Sequence, residues 1–403
     1  MVWELKLDLE VVTPLFMGGA GPSAELRAPS LKGLLRFWFR AIDPRFNEPW
    51  DDHRLPREAQ LFGGTTKGAG QSGFLLRVES PPPVHQQWKD FRAARFSQGS
   101  GKHSRNGLVY LGYPFQMGGN KNRTAIVPGH RFSVRCIVPR STGGEQGAGD
   151  ATDVRRSVVA AWWLLTHLGG AGSRARRGFG SLALLRWEPS AGDWPELKDL
   201  AVLSESSDPD DWQRGCARGL AVLRNWFGAH DSANGKTFHH PHLGPELRYV
   251  LLNNGFRRGQ WDAALAHMGD KLQGFRQRRA PDYQMVKDHL LAAKHQGGKP
   301  LQATPPRASF GLPLTFRYSG GLGPVTIAPF DEERGNTFER HGSLLFLRLV
   351  PIGEQLYPLF VRLAGDVPGE SPPAALRRDN TALLGFRENA MDGFMNSLRN
   401  ERR

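Results

Sequence analysis

The chain reads as an α+β protein of two tandem units, and three observations predict it. Stretches with apolar residues at every second position are interleaved with longer stretches that repeat every three to four residues. Over residues 1–195 these run in the order strand, helix, strand, strand, helix, strand. At 403 residues the chain is also long enough for two domains that each bury a core.

In order, Trp3, Leu5, Leu7 and Leu9 alternate with Glu4, Lys6, Asp8 and Glu10, which predicts a strand over 3–12. Thr13-Pro14-Leu15-Phe16-Met17-Gly18-Gly19 ends it in a loop. Ser30 is placed as the cap of a helix over 31–42, whose apolar set (Leu31, Leu34, Leu35, Trp38, Ile42) keeps the helical period. Lys32, Arg36 and Arg40 follow at i, i+4 and i+8, a cationic stripe about 12 Å long. It reads as a solvated face or, beside a second cationic loop, as a phosphate contact. Residues 74–78 and 131–138 are the second and third strands. The polar, Pro- and Gly-rich stretch at about 79–128 is an insertion with the composition of a mobile, functional segment. It carries Arg92, Arg95, Lys102, His103, Arg105, Lys121 and Arg123. Asp153 caps a Trp-containing helix over 154–168, and 179–187 is the fourth strand. This is a ferredoxin-like (RRM-like) order; the aromatic signature of RNA-binding RRM sheets is missing from its strands.

The second helix and fourth strand are joined by Gly169-Gly170-Ala171-Gly172-Ser173-Arg174-Ala175-Arg176-Arg177-Gly178-Phe179-Gly180-Ser181-Leu182. Glycine lets backbone approach a ligand closely, successive N–H groups can form an anion-binding concavity, and arginine adds a flat permanent charge. The loop therefore predicts a grip on a polyanion through Gly170, Gly172, Ser173, Arg174, Arg176, Arg177 and Gly178, with Lys32, Arg36 and Arg40 joining it. The plainer alternative is a helix-to-strand turn with its bases in solvent. A dinucleotide fingerprint needs strand, loop, helix, so the match Gly170-x-Gly172-x-x-Ala175 is accidental.

Residues 196–245 read as a connecting helix (211–228) and linker, and 246–403 as a rearranged second ferredoxin-like unit. Its predicted strands are 247–252, 312–318, 344–350 and 356–363. Its helices are 261–275, ending in Arg276, Arg278 and Arg279, and 384–398. A net charge of +14 favours a polyanionic partner. Cys136 and Cys216 read as two buried thiols, one disulfide being the alternative. The opening residues are strand-like rather than a secretory leader, and no apolar run approaches the roughly 18 residues that cross a membrane. The expectation is a cytoplasmic protein with no membrane contact. His239-His240-Pro241-His242 has no Cys or carboxylate companion, and Pro241 breaks any helical pairing of imidazoles, so no metal or cofactor is predicted. His167, at the helix end beside the loop, is structural, or else a cation favoured by the helix dipole or a proton shuttle. No nucleophile–base pair emerges, so no enzymatic activity is predicted.

Residues 169–182 resemble the glycine-rich loop of the RAMP superfamily, the repeat-associated proteins of CRISPR systems. The Thr13 to Gly19 stretch resembles the large two-domain RAMP subunits of type III-B (Cmr) effectors. So do Glu25-Leu26-Arg27-Ala28-Pro29-Ser30-Leu31-Lys32-Gly33-Leu34-Leu35-Arg36-Phe37-Trp38-Phe39-Arg40-Ala41 and Leu61-Phe62-Gly63-Gly64. Phe310-Gly311-Leu312-Pro313 agrees less sharply. Where such proteins carry an Arg-Arg-x-Ser-Pro-Leu-like segment, this chain reads Arg340-His341-Gly342-Ser343-Leu344-Leu345. The resemblance is strong over about residues 1–190 and thinner beyond. It implies a non-catalytic, RNA-binding subunit that holds the 3′ portion of a CRISPR guide RNA and helps to engage target RNA, with the other effector subunits as partners. A rival within the superfamily, a guide-processing endoribonuclease with a histidine general acid–base, has its glycine loop near the C-terminus, which argues against it. An RNA-binding protein outside any complex is the third reading.

Overall fold

The computed structural model describes residues 2–18, 23–48, 55–65, 70–91, 106–116, 122–139, 151–228, 240–277, 280–294, 297–318, 323–386 and 388–402. In β1 (Val2–Val11), Leu5, Leu7 and Leu9 are fully buried while Glu4, Lys6 and Asp8 lie on the other face. Helix α1 (Ala28–Ile42) begins at Arg27, with no side-chain cap: Pro29 pre-sets the first turn, so Ser30 is not needed as the cap. Next come α2 (Arg57–Phe62) and β2 (Leu75–Glu79). The insertion carries β3 (His85–Gln87), α3 (Gly107–Leu111) and β4 (Thr124–Ile126). Finally β5 (Arg131–Pro139), α4 (Ala151–His167) and β6 (Leu182–Ala191) close the unit. The fourth strand starts at Leu182 rather than 179, because Gly180 at φ 64° keeps the chain turning.

The sheet order is β2-β5-β1-β6, every pair antiparallel, with β1 flanked by β5 and β6 as a ferredoxin-like order requires. The apolar faces of α1 and α4 join the buried face of this sheet in one core. On its open face an RRM would present aromatic rings; here acids meet bases. Arg135 pairs with Glu4 (2.5 Å) and Glu79 (2.9 Å), Arg186 with Asp8 (2.8 Å), and Arg131 with Glu10 (3.1 Å).

Helix α5 (Pro209–Phe227), capped by Asp208, leads to the second unit. That unit opens with β7 (Arg248–Leu251), β8 (Phe256–Arg257), α6 (Trp261–Gln277) and α7 (Ala280–Ala293). It continues with β9 (Leu314–Phe316), β10 (Val325–Asp331), β11 (Asn336–Thr337), β12 (Leu345–Ile352) and β13 (Gln355–Arg362). Last are β14 (Ala374–Leu376), β15 (Thr381–Leu383) and α8 (Ala390–Arg402). The expected rearranged second ferredoxin-like unit keeps part of that order. Strand, helix, strand, strand, helix survives as β7/β8, α6, β12, β13 and α8, in the sheet order β12-β13-β7 with β8 also on β13. No strand follows α8 among the described residues. Two excursions, before β12 and after β13, meet in a separate sheet, β11-β10-β14-β15 with β9 on β10. Residues 381–383 are spent on that sheet, so the last helix starts at Ala390 behind an Asn389 cap, not at 384.

The described part of the insertion is packed rather than loose. Strands β3 and β4 pair, and Trp88, Phe91 and Phe115 are buried with Phe16 and Phe179. Helix α3 lies on α6 of the second unit, where Gly107 and Gly269 let the backbones meet. Arg92, Arg95, Lys102, His103, Arg105 and Lys121 lie outside the described residues, as do His239, Arg278 and Arg279. The two units share their cores: Val12 and Phe179 cluster with Leu265, Leu347 and Phe360, and Trp38 with Phe346 and Val361. No helix among the described residues is long and apolar enough to cross a membrane.

Candidate nucleic-acid interface

The glycine loop is zipped to residues 13–18. Ser173 N–H donates to Phe16 O (2.8 Å), Gly180 N–H to Pro14 O (3.0 Å) and Ala171 N–H to Gly180 O (2.8 Å). Thr13 Oγ1 donates to Gly178 O (2.7 Å) and accepts from Ser181 N–H (2.9 Å). These N–H groups are therefore consumed inside the fold, among them that of Ser173, a predicted anion contact. The close approach that glycine allows is to the protein's own backbone. A Cβ on Gly172 (φ 76°) would sit 2.6 Å from Phe16 O. Gly178 (φ 88°) faces the second unit, where a Cβ would meet Leu265 at 2.5 Å, and Gly170 is tucked between Ala175 O and Gly180 O.

The loop arginines are stapled to distant backbone. Arg174, itself left-handed at φ 64°, donates from Nε and Nη2 to Leu111 O of the insertion (2.8 and 2.5 Å). Arg176 donates to Ser343 O (2.6 Å) and lies over the rings of Phe37 (5.7 Å) and Phe346 (5.0 Å). Arg177 reaches Phe310 O at 3.4 Å. From the opposite side Arg348, 1% exposed, donates to Gly169 O (3.1 Å) and Leu182 O (2.8 Å), holding both ends of the loop. Three stretches far apart in sequence, 169–182, 310–313 and 340–345, thus meet along one seam between the units.

That seam is short of acid. Among the described residues none of Arg174, Arg176 or Arg177 has an ion pair, whereas Arg307 nearby pairs with Asp282 at 3.1 Å. Burial first, then the charge of Arg340, pulls Arg174 and Arg176 down to about 10. Arg177 falls to about 9 through burial and then Arg174, with Arg276 and Arg176 adding to it. All remain cationic at neutral pH. Guanidiniums that lose water and face other guanidiniums gain more than most from an arriving anion. The neighbouring imidazoles feel the same field. His240 is lowered to about 4 and His341 is lowered as well, burial leading in both and Arg176 contributing to each.

The helix stripe fares differently. Arg40 makes a two-pronged pair with Glu58 of α2 (2.5 and 2.6 Å); Arg36 pairs with Glu58 at 3.4 Å and donates to Gly63 O (2.7 Å). Lys32 donates to Phe74 O (3.3 Å) and lies over its ring, so it turns to β2's approach rather than to the loop. The expected meeting of Lys32 and Arg36 with the loop arginines is replaced by one further along α1, where Phe37 touches Arg176 and His240.

His167 is 4% exposed, its Nδ1 on Trp163 O (2.7 Å) and its Nε2 accepting Leu203 N–H (3.2 Å). Burial, then Arg348, lowers it to about 3, so it is a neutral brace and not a helix-end cation or proton shuttle. His240 and His242 each place a ring nitrogen on a backbone carbonyl (2.8 and 2.9 Å), and Cys136 and Cys216 are free, buried thiols. Sequence reasoning named Arg276 and Arg340 without joining them to the loop, and it missed Arg348. Arg348 did carry a signal: it is the sole charge in the apolar run Leu344-Leu345-Phe346-Leu347-Arg348-Leu349-Val350, and a buried charge needs partners.

Residues 8–183 match the family model of the RAMP superfamily. The chain is similar to the CRISPR system Cmr subunit Cmr1-1 of Pyrococcus furiosus. The two are 24% identical over 268 residues, 65% of this chain and 68% of that one. It is also 29% identical to Cmr1-2 of the same organism over 204 residues, 45% of this chain and 95% of the relative. The apo crystal structure of Cmr1 from P. furiosus aligns over 98% of this chain and 96% of that one, at TM-score 0.54 and 20% identity. A chain of the type III-B Cmr-beta complex bound to cognate target RNA aligns over 99% of both, at TM-score 0.52 and 13% identity. These likenesses concern the fold.

Proposed function

We propose that the chain is a non-catalytic, RNA-binding subunit of a type III-B CRISPR effector, working beside other Cmr subunits in antiviral defence. It grips the backbone of guide or target RNA near the guide's 3′ end. The observation that carries this reading is the seam where Arg174, Arg176 and Arg177 are oriented by carbonyl oxygens and left without carboxylates. A guanidinium has five N–H donors, and the seam uses one or two of each, leaving the rest for phosphate. Arg340, exposed at the same seam, extends the site. The Cmr names of its relatives and the +14 net charge support the same partner. The rival endoribonuclease needs a titrating histidine near the loop, and His167 spends both ring nitrogens on backbone.

Binding of unrelated single-stranded RNAs to the wild-type chain and to Arg340→Ala and Arg176→Ala tests the reading. Both variants weaken all sequences by a common factor, as phosphate contacts do. A change of sequence preference, or RNA cleavage by the chain without metal, would contradict it.

A further inference from the structure

Among the described residues three aromatic side chains are markedly exposed: Tyr113 (56%), Tyr283 (41%) and Phe338 (38%). Tyr113 lies two residues from Leu111, which accepts Arg174, and Phe338 two residues from Arg340, whereas Tyr283 follows Asp282, whose carboxylate pairs with Arg307. Tyr113 is the one that is built in place. It opens the short 3-10 turn Tyr113–Gln116, directly after Gly112, where a Cβ would strike the Trp88 ring at 2.5 Å. Pro114 restricts its backbone from the other side. Two residues on, Phe115 is 2% exposed and packs against Phe16 (ring centroids 4.3 Å) and edge-on against Phe179 of the glycine loop (5.6 Å). The turn is thus tied to the loop twice, through the Phe115–Phe179 contact and through Arg174 on Leu111 O.

An aromatic ring left in water, on a turn anchored by a buried ring and two residues from the carbonyl that holds Arg174, has the makings of a base-stacking platform. Stacking on such a ring is tolerant of sequence, and the backbone is held by the neighbouring charge. A duplex offers no free base face, so the chemistry selects an unpaired strand.

We infer that Tyr113 stacks on an unpaired base of the RNA whose backbone the arginine seam holds. This rests on the RNA reading above, and the test separates the two. A short labelled oligoadenylate and an abasic ribose-phosphate strand of equal length are titrated with the intact chain by fluorescence anisotropy. Tyr113→Ala weakens oligoadenylate binding by about five- to 150-fold. It leaves the abasic strand and the melting temperature unchanged, Tyr113→Trp retains the affinity, and Arg340→Ala weakens both probes. If Tyr113→Ala binds oligoadenylate as the wild type does, or loses both probes equally, while Arg340→Ala still weakens both, the stacking inference fails and the RNA reading stands. If Tyr113→Ala instead impairs only association with other subunits, the ring is a protein contact and the inference fails. Binding of neither probe by the wild-type chain overturns both.

Discussion

On α1, Glu58 takes Arg40 at 2.5 Å and Arg36 at 3.4 Å; in the seam, among the described residues, Arg174, Arg176 and Arg177 donate to carbonyl oxygens and to no carboxylate. Both regions carry three cations close together in sequence, and on paper the helix stripe is the more regular. The difference lies in what answers the charge. A carboxylate at ion-pair distance cancels a cation's field, whereas a carbonyl fixes a guanidinium's direction and leaves its charge intact. The loop is thus a set of aimed, unneutralised charges, and the stripe is largely a structural clasp between α1 and α2.

The largest expected effect comes from the residue that holds the seam. Arg348→Met leaves Gly169 O and Leu182 O without donors in the interior, offset in part by the relief of a buried charge. The stability loss is about 2–4 kcal/mol in urea unfolding, against less than about 1 kcal/mol for Arg36→Met in the half-exposed clasp. Similar losses for both would erase the distinction between the regions.

Acid sharpens it next. The unfolded chain protonates His167 near pH 6.5, while the folded chain holds it neutral to about 3. Its contribution to stability is full above about pH 6.5 and is lost as pH falls toward 3. The urea midpoint of the wild type should fall through that window, and His167→Gln should flatten the decline; an equal decline in the variant would contradict a neutral His167.

A smaller effect tests the clasp from the other side. Glu58→Gln uncovers Arg36 and Arg40, and single-stranded RNA should bind about two- to fivefold more tightly at low salt. Unchanged affinity would mean that the stripe lies away from the RNA.

Much of the first unit could be read from sequence because its signals are local. The alternation of Leu5, Leu7 and Leu9 and the helical spacing of Leu31, Leu35 and Trp38 are set by the chain's own neighbours. The glycine loop was visible as composition. What its arginines touch was not, since Arg176 and Ser343 are 167 residues apart and Arg177 and Phe310 are 133 apart. Glu58's role was hidden likewise: a lone acid in a short helix gives no hint of which helix it will face. Of the second unit's excursion sheet, β9 lies within the predicted strand 312–318, whereas β14 and β15 run to three residues, too short for alternation to register, and Pro329 interrupts the pattern of β10.

The salt dependence of single-stranded RNA binding tests the central claim most directly, measured in parallel for the wild type, Arg340→Ala and Arg36→Ala. The account predicts that the log–log slope flattens by about 0.7 for Arg340→Ala and stays at the wild-type value for Arg36→Ala. A slope that flattens for Arg36→Ala and not for Arg340→Ala would move the RNA from the seam to the helix and contradict it.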